Sequence, residues 1–179
     1  NVTDDSFYDK SRVIDTSAVE SRIAEVVAQG ATIVDIGGYS SRRGAADVPL
    51  ETEWARVDMG VGAARKVAPE VAVSVDTFRA EIVRRTVAKY GAVIVNDITA
   101  GEADSDMFDT VAELGVPYVA MHMRGTPQTM QDLTEYADIV TEVTNYLASR
   151  ASELEHRGVK RENIILDPGF GFAKSVEQN

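Results

Sequence analysis

The chain reads as a parallel α/β barrel, a (β/α)8 TIM-barrel arrangement of which about five strands are visible. Three observations lead there. Short β-branched apolar runs alternate with helical patterns. The runs are apolar almost throughout, as strands covered on both faces are. A polar residue falls at or near the C-terminal end of each run in turn: Asp35, Asp76, Asn96, His122 and Asp167. A barrel gathers such ends around one mouth. An open doubly wound sheet spreads them along a line, with its site at one switch point.

The apolar runs cover 31–36, 71–75, 92–95, 116–121 and 163–166. A helix before the first run is marked by Ser17 with Glu20 three residues on, a capping-box spacing. Val19, Ile23 and Val26 follow at helical spacing, and Gly30 supplies the stop. The second helix opens at Pro49, a favoured first-turn residue, and runs through Trp54, Val57 and Val61. The third follows Thr77, with Val83, Val87 and Tyr90 inward and Gly91 after it. The fourth carries Met107, Phe108, Val111 and Leu114 before Gly115. The fifth carries Ile139, Val143, Tyr146, Leu147 and Leu154 and ends near Gly158. From the first strand on, the order is βαβαβαβαβ. No linker or low-complexity tract interrupts it, so residues 1–179 read as a single barrel domain.

The 179 residues suffice for a sizeable core. There is no cysteine, which excludes disulfides and thiolate metal sites and fits a reducing, cytoplasmic setting. A net charge of −11 without a basic stretch points away from nucleic acid and membrane surfaces. An anionic substrate would need local Arg, Lys, backbone N–H groups or a metal ion. No apolar run reaches the ~20 residues that span a bilayer. The abrupt start at Asn1 and end at Asn179 suggest an excerpt of a longer chain.

Each strand-end motif has a structural and a functional reading. Asp35 to Gly44 combines glycines, hydroxyls and Arg42; it is either a polar loop or a ligand loop. In Ser74-Val75-Asp76-Thr77, either Asp76 or Thr77 caps the next helix, or Asp76 binds the N–H edge of an aminopyrimidinone ring. Asn96 either makes a turn or matches donor and acceptor atoms of a heterocycle. Met121 packs in a core or against a flat ring, and His122 makes a structural hydrogen bond or a functional one. His122 and His156 are the only histidines, too few for a multi-histidine metal site. Asp167-Pro168-Gly169 is a strong turn signal, yet glycines flanking Phe170 and Phe172 suggest backbone lying close to a ligand. Singly, the structural readings suffice; together, five ligand-like motifs at successive strand ends favour a site.

With these motifs in hand, the chain is similar to dihydropteroate synthase, the folate-pathway family inhibited by sulfonamides. The stretches NVTDDSFYD, VDIGGYSSRRGA, VSVDTFRAE, VNDITAG, MHMRGTPQTM and ILDPGFGFAK occur in the family's order over essentially the whole chain. GGYSS in place of the commoner GGEST resembles Bacteroidetes-type members. The resemblance implies condensation of dihydropterin-methyl pyrophosphate with p-aminobenzoate, giving dihydropteroate and pyrophosphate by a dissociative route. It implies catalytic roles for Asp76, Asp167, Ser41 and Arg42. It places the pterin against Asp76, Asn96, Ile98, Met121, Asp167 and Gly171. It places p-aminobenzoate against Ser41, Arg43 and Phe172. It gives Asn1 to the Mg²⁺–pyrophosphate group and Asp35 to support of the loop and site. It also implies Mg²⁺ as cofactor, small-molecule substrates, neither nucleic acid nor membrane as partner, and a homodimer at full length.

The chain departs from the family pattern at Arg43 and Asp4, where Pro is common, and at Ala173, where Gly is common. The family's first strand is missing before Asn1, as are its last two strand–helix units. Those units carry a pterin-binding Lys and phosphate-holding Arg and His; Lys174 belongs to the Asp-Pro-Gly loop and is not that Lys. Two other readings stay open. One is a relative that binds a folate pterin with the same anchors and transfers a methyl group to a corrinoid protein. The other is a non-catalytic pterin-binding homologue or fragment.

Overall fold

A computed structural model describes residues 1–3, 15–40, 47–126 and 129–179. The expected alternation is present. Helix α1 (Thr16–Ala28) precedes strand β1 (Ile33–Gly37), followed by α2 (Leu50–Val67), β2 (Ala72–Asp76), α3 (Ala80–Tyr90) and β3 (Ile94–Asp97). Helix α4 (Met107–Leu114), β4 (Tyr118–Met121), α5 (Ile139–His156) and β5 (Ile164–Asp167) complete it. All neighbouring strands are parallel and lie in the order β1-β2-β3-β4-β5. Sequential order without reversal leaves no switch point, which decides against the doubly wound sheet. The architecture is five strands of the α/β barrel type.

Helices α1, α2, α3 and α4 pack as successive neighbours over one face of this sheet. Two apolar clusters fill the space between. Val57, Val61 and Ala64 of α2 meet Val73 and Val75 of β2 in the first. Phe108 and Val111 of α4 meet Val95, Tyr118 and Ala120 in the second. Helix α2 lies so close to β1 that a side chain at Gly60 would stand 2.6 Å from the Ile36 Cγ2.

The cap of α1 corrects the sequence reading: Asp15, not Ser17, is the N-cap, and its carboxylate accepts from the Ser17 N–H at 2.9 Å. Asp and Ser both suit a cap, and two residues of spacing separated them. Helix α3 begins at Ala80, three residues after Thr77. The Gly30, Gly91, Gly115 and Gly158 stops all fall just past helix ends. Among the described residues no helix is long and apolar enough to cross a membrane.

Candidate active site

Side chains alternate along a strand, so the polar residues at the strand ends divide between two faces. Asp35, Asp76 and Asn96 share the face away from the helices. Register pairs Gly37 with Asp76, and Asp76 with Asn96. The Asn96 amide donates to Asp35 Oδ2 at 3.2 Å, across the intervening β2. Adjacent strands are ~4.8 Å apart, so two short side chains on β1 and β3 meet only where the sheet curves toward them. This is the concave face expected inside a barrel. Asp35 itself is exposed in the middle of β1, not at its end, and it supports Asn96 directly.

Asp76 is the electrostatic centre of the group. No donor among the described residues hydrogen-bonds its carboxylate. Burial, then the charges of Asp35, Asp97 and Glu53, push the acid up to about 7. Gly37 makes room for it: a Cβ there would stand 3.1 Å from Asp76 Oδ2. The capping explanation fails for this residue. The first N–H of α3, on Ala80, donates to Asp104 Oδ2 at 2.8 Å, and Thr77 Oγ1 accepts from Arg79 N at 3.2 Å.

Across the sheet the lining becomes apolar. Ile98, Met121, Met123, Met130 and Ala173 form a buried cluster with Phe172 packed against it. Asp167 pairs with Met121 in register and is half-buried. Its Oδ1 accepts from Gly169 N at 2.8 Å, so the turn reading of Asp-Pro-Gly is correct in part. Gly169 meets protein, not open space: with φ +70, a Cβ would stand 2.1 Å from the His122 carbonyl oxygen. Gly171 is the open one, exposed, with its N–H donated to Asn179 Oδ1 at 2.7 Å. Ala173 has φ +51, which explains why glycine suits that position.

Asn1 is placed by its neighbour. Val2 N donates to Gly37 O at 2.7 Å, leaving Asn1 exposed beside the end of β1. Asn1 and Asp35 both line a groove of about 320 Å³ between β1 and α1. A second cavity of about 370 Å³ lies over the strand-end loops, between Tyr39, Phe78, Thr99, Met123 and Thr126. Ser41, Arg42 and Arg43 lie outside the described residues.

The structure thus gathers Asp35, Asp76, Asn96 and Asn1 at the β1–β3 side, and Ile98, Met121, Asp167 and Phe172 at the β3–β5 side. Several neighbours were missed in the sequence. Glu53 is fully buried, accepting from Thr77 Oγ1 at 2.6 Å and Arg79 at 2.8 Å. Burial raises its pKa, and Thr77 and Arg79 oppose the rise. Its signal was position: Glu53, Val57, Gly60 and Ala64 form one inward helical stripe. Asp97, adjacent to Asn96, points to the helix side. It accepts from the Tyr118 hydroxyl at 2.7 Å, from both donors of Thr99 at 2.8 Å, and from Gly101 N at 2.9 Å. His122 has the structural bond considered for it, from Lys174 at 3.0 Å.

Three cations on the strand-end loops are already engaged. Arg79 binds Glu53, Arg124 binds Glu142 and covers the Tyr136 ring, and Lys174 is buried. Among the described residues no group of three His, Asp or Glu could hold a metal ion.

Comparison with known proteins bears on this geometry. The family model described as "Pterin binding enzyme" matches residues 1–179. The chain is 43% identical over 180 residues to the folic acid synthesis protein fol1 of Pneumocystis carinii, covering all of this chain and 24% of that protein. It is 40% identical over 179 residues to dihydropteroate synthase of Escherichia coli, covering all of this chain and 62% of the relative. A solved dihydropteroate synthase of Xanthomonas albilineans with 4-aminobenzoic acid superposes with a TM-score of 0.86 at 37% identity, covering 99% of this chain and 62% of that one. The chain therefore spans less than two thirds of these relatives.

Proposed function

Because the chain belongs to the pterin-binding enzyme family, we propose that residues 1–179 form part of the barrel domain of a dihydropteroate synthase. The substrates would be dihydropterin-methyl pyrophosphate and p-aminobenzoate. The observation that carries this reading is Asp76: a carboxyl group with no donor among the described residues, at the mouth of a curved parallel sheet, where burial and neighbouring carboxylates raise its pKa. Such a group is matched by a ligand that brings its own N–H donors, as the aminopyrimidinone edge of a pterin does. Docked donors stabilise the carboxylate form and offset the cost of its burial.

Asn96, already oriented by Asp35, would meet the remaining ring atoms. Ile98 and Met121 offer apolar surface for the ring faces, and Gly171 leaves space beside them. Phe172 would pack against p-aminobenzoate, with Ser41 and Arg43 on the covering loop. In the reaction, the methylene C–O bond breaks and its electron pair leaves with pyrophosphate. The aniline nitrogen forms the new C–N bond and gives up a proton. Asp76 and Asp167 would stabilise positive charge on the pterin, and Ser41 and Arg42 would meet the leaving group.

Magnesium fits this site as an ion carried by the pyrophosphate. Mg²⁺ keeps several waters and takes few protein ligands beside substrate phosphates. That agrees with an exposed Asn1 amide and with no group of three acidic or histidine side chains placed to hold a metal ion among the described residues. Asn1 would hold the ion through its side-chain oxygen, and the ion would neutralise charge on the leaving group. The proposal extends to a cytoplasmic homodimer, which sedimentation of the complete gene product would test.

The deciding experiment is p-aminobenzoate-dependent pyrophosphate release by the complete gene product. Release requiring both substrates is expected. Pterin binding without release would point to a methyl-transferring or non-catalytic relative. Asp76→Ala and Asp167→Ala should each weaken pterin binding about 100-fold. Retained affinity in both would remove the assignment.

A further inference from the structure

Lys174 is a buried lysine that the proposed reaction does not use. Its Nζ lies 3.0 Å from His122 Nδ1, 3.1 Å from the Gly169 oxygen and 3.0 Å from the Phe172 oxygen. An ammonium group has three N–H bonds, and these are three acceptors. For Nδ1 to accept, the His122 ring must be neutral with its proton on Nε2. Burial and the nearby charges of Lys174 and Arg124 lower the His122 pKa to about 4, which keeps the ring in that form at neutrality.

The ring is itself held. It meets Tyr146 edge-on at 5.0 Å and lies against Tyr136 at 6.2 Å. The Tyr136 hydroxyl donates to the Ala173 oxygen at 2.9 Å. The backbone of the same strand end grips the loop twice more. His122 N donates to the Asp167 oxygen at 2.9 Å, and Gly169 lies directly against the His122 carbonyl. The loop so fastened runs from Asp167 to Lys174 and carries Asp167, Gly171 and Phe172. Two of the oxygens on the ammonium belong to Gly169 and Phe172, on either side of Gly171.

We propose that Lys174, seated on the His122 ring, is a positioning residue: it fixes the 167–174 loop against β4 and so sets how tightly the pterin and p-aminobenzoate are held. This rests on the assignment of the site to those two ligands. The ammonium gathers loop carbonyls much as a small cation would, and His122 anchors it to a strand.

A merely structural contact would change stability and leave the affinity of the folded protein alone. Displacing a positioned group by about an ångström can cost about 100-fold in reaction rate, and ligand affinity carried by the same displaced groups should fall by a smaller factor. The test uses the complete gene product, with a 6-hydroxymethyl pterin and p-aminobenzoate as probes. Wild-type protein is measured first; if it binds neither probe, the site assignment itself fails. Given wild-type binding, Lys174→Met and His122→Leu should each raise both dissociation constants about 10-fold under conditions where they are folded by circular dichroism. His122→Asn, whose side-chain oxygen can take the place of Nδ1, should stay within about threefold of wild type. Wild-type affinity in folded Lys174→Met or His122→Leu overturns the proposal, as does His122→Asn binding no better than His122→Leu. Ring-nitrogen NMR of the unmodified protein needs no variant. It should find His122 protonated on Nε2 alone at neutral pH; an Nδ1–H ring would overturn the proposal.

Discussion

Glu53 and Asp76 are two carboxyl groups close enough that the charge of one raises the pKa of the other, yet the protein treats them in opposite ways. Glu53 is wholly removed from water and fully matched, with a hydroxyl on one oxygen and a guanidinium on the other. Asp97 is matched in the same manner by Tyr118, Thr99 and Gly101. Asp76 has a carboxylate cluster around it and no donor among the described residues. A satisfied buried acid ties elements together. An unsatisfied one costs stability and is retained where a ligand will supply the missing partners. On the proposed function, the contrast separates the frame of this mouth from its ligand-binding surface.

The largest effect should come from breaking the frame. Glu53→Ala removes the carboxylate that joins α2 to the Thr77–Arg79 turn and leaves the Arg79 guanidinium, among the described residues, with a weak contact to Asp47 at 3.5 Å and the rings of Tyr39 and Phe78. Loss of one partner from a buried pair costs about 3–5 kcal/mol. Urea denaturation should show that loss. Glu53→Gln, which keeps an acceptor for Thr77, should lose less; a Glu53→Ala protein as stable as wild type would refute the structural role.

Asp97 offers a milder version. Tyr118→Phe keeps the edge-on contact with Phe108 at 5.7 Å and removes only the hydroxyl that donates to Asp97. Asp97 Oδ2 still accepts from Gly101 N, so the acid is not left bare. The expected loss is about 1–2 kcal/mol in urea denaturation, clearly below that of Glu53→Ala. An equal loss would mean that the Asp97 turn depends on the tyrosine far more than its backbone donors suggest.

These residues also mark what sequence could and could not convey. The alternation of strands and helices was legible because apolar periodicity records burial, which is a local property of a segment. The positions of Asp76, Asn96, Met121 and Asp167 were legible because a strand end is a place in the chain as well as in space. Their partners were not. The approach of Lys174 to His122, 52 residues earlier, leaves no spacing signal. The division of Asn96 from Asp97 follows from period two, but only once the helix-bearing face is known. Glu53 shows a halfway case: its inward position on α2 was readable, and the identity of its partners was not.

The finest comparison is between a charge the protein satisfies and one it does not, and a substitution read across pH isolates the second. Asp76 has an ordinary acid constant of 3.8 when unfolded and about 7 when folded. An acid whose folded value is raised binds its proton more readily in the native state, so it favours folding at low pH and loses that advantage as pH rises between those two values. Glu53 and Asp97 are also raised by burial and contribute slopes of the same sign. Asp76→Asn removes one contribution and leaves the others. The variant should be more stable than wild type at pH 8 by about 1 kcal/mol, less than an enclosed acid would give because solvent reaches part of the carboxylate. At pH 4 the two should converge, and the variant should hold the pterin poorly at either pH because its NH2 group sets a donor against a ring donor where the carboxylate has a second acceptor oxygen. Urea midpoints across this range, beside pterin titrations, would check both halves. A pH slope unchanged by Asp76→Asn would show that the unsatisfied acid lies elsewhere, and the division between frame and ligand-binding surface would have to be drawn around a different residue.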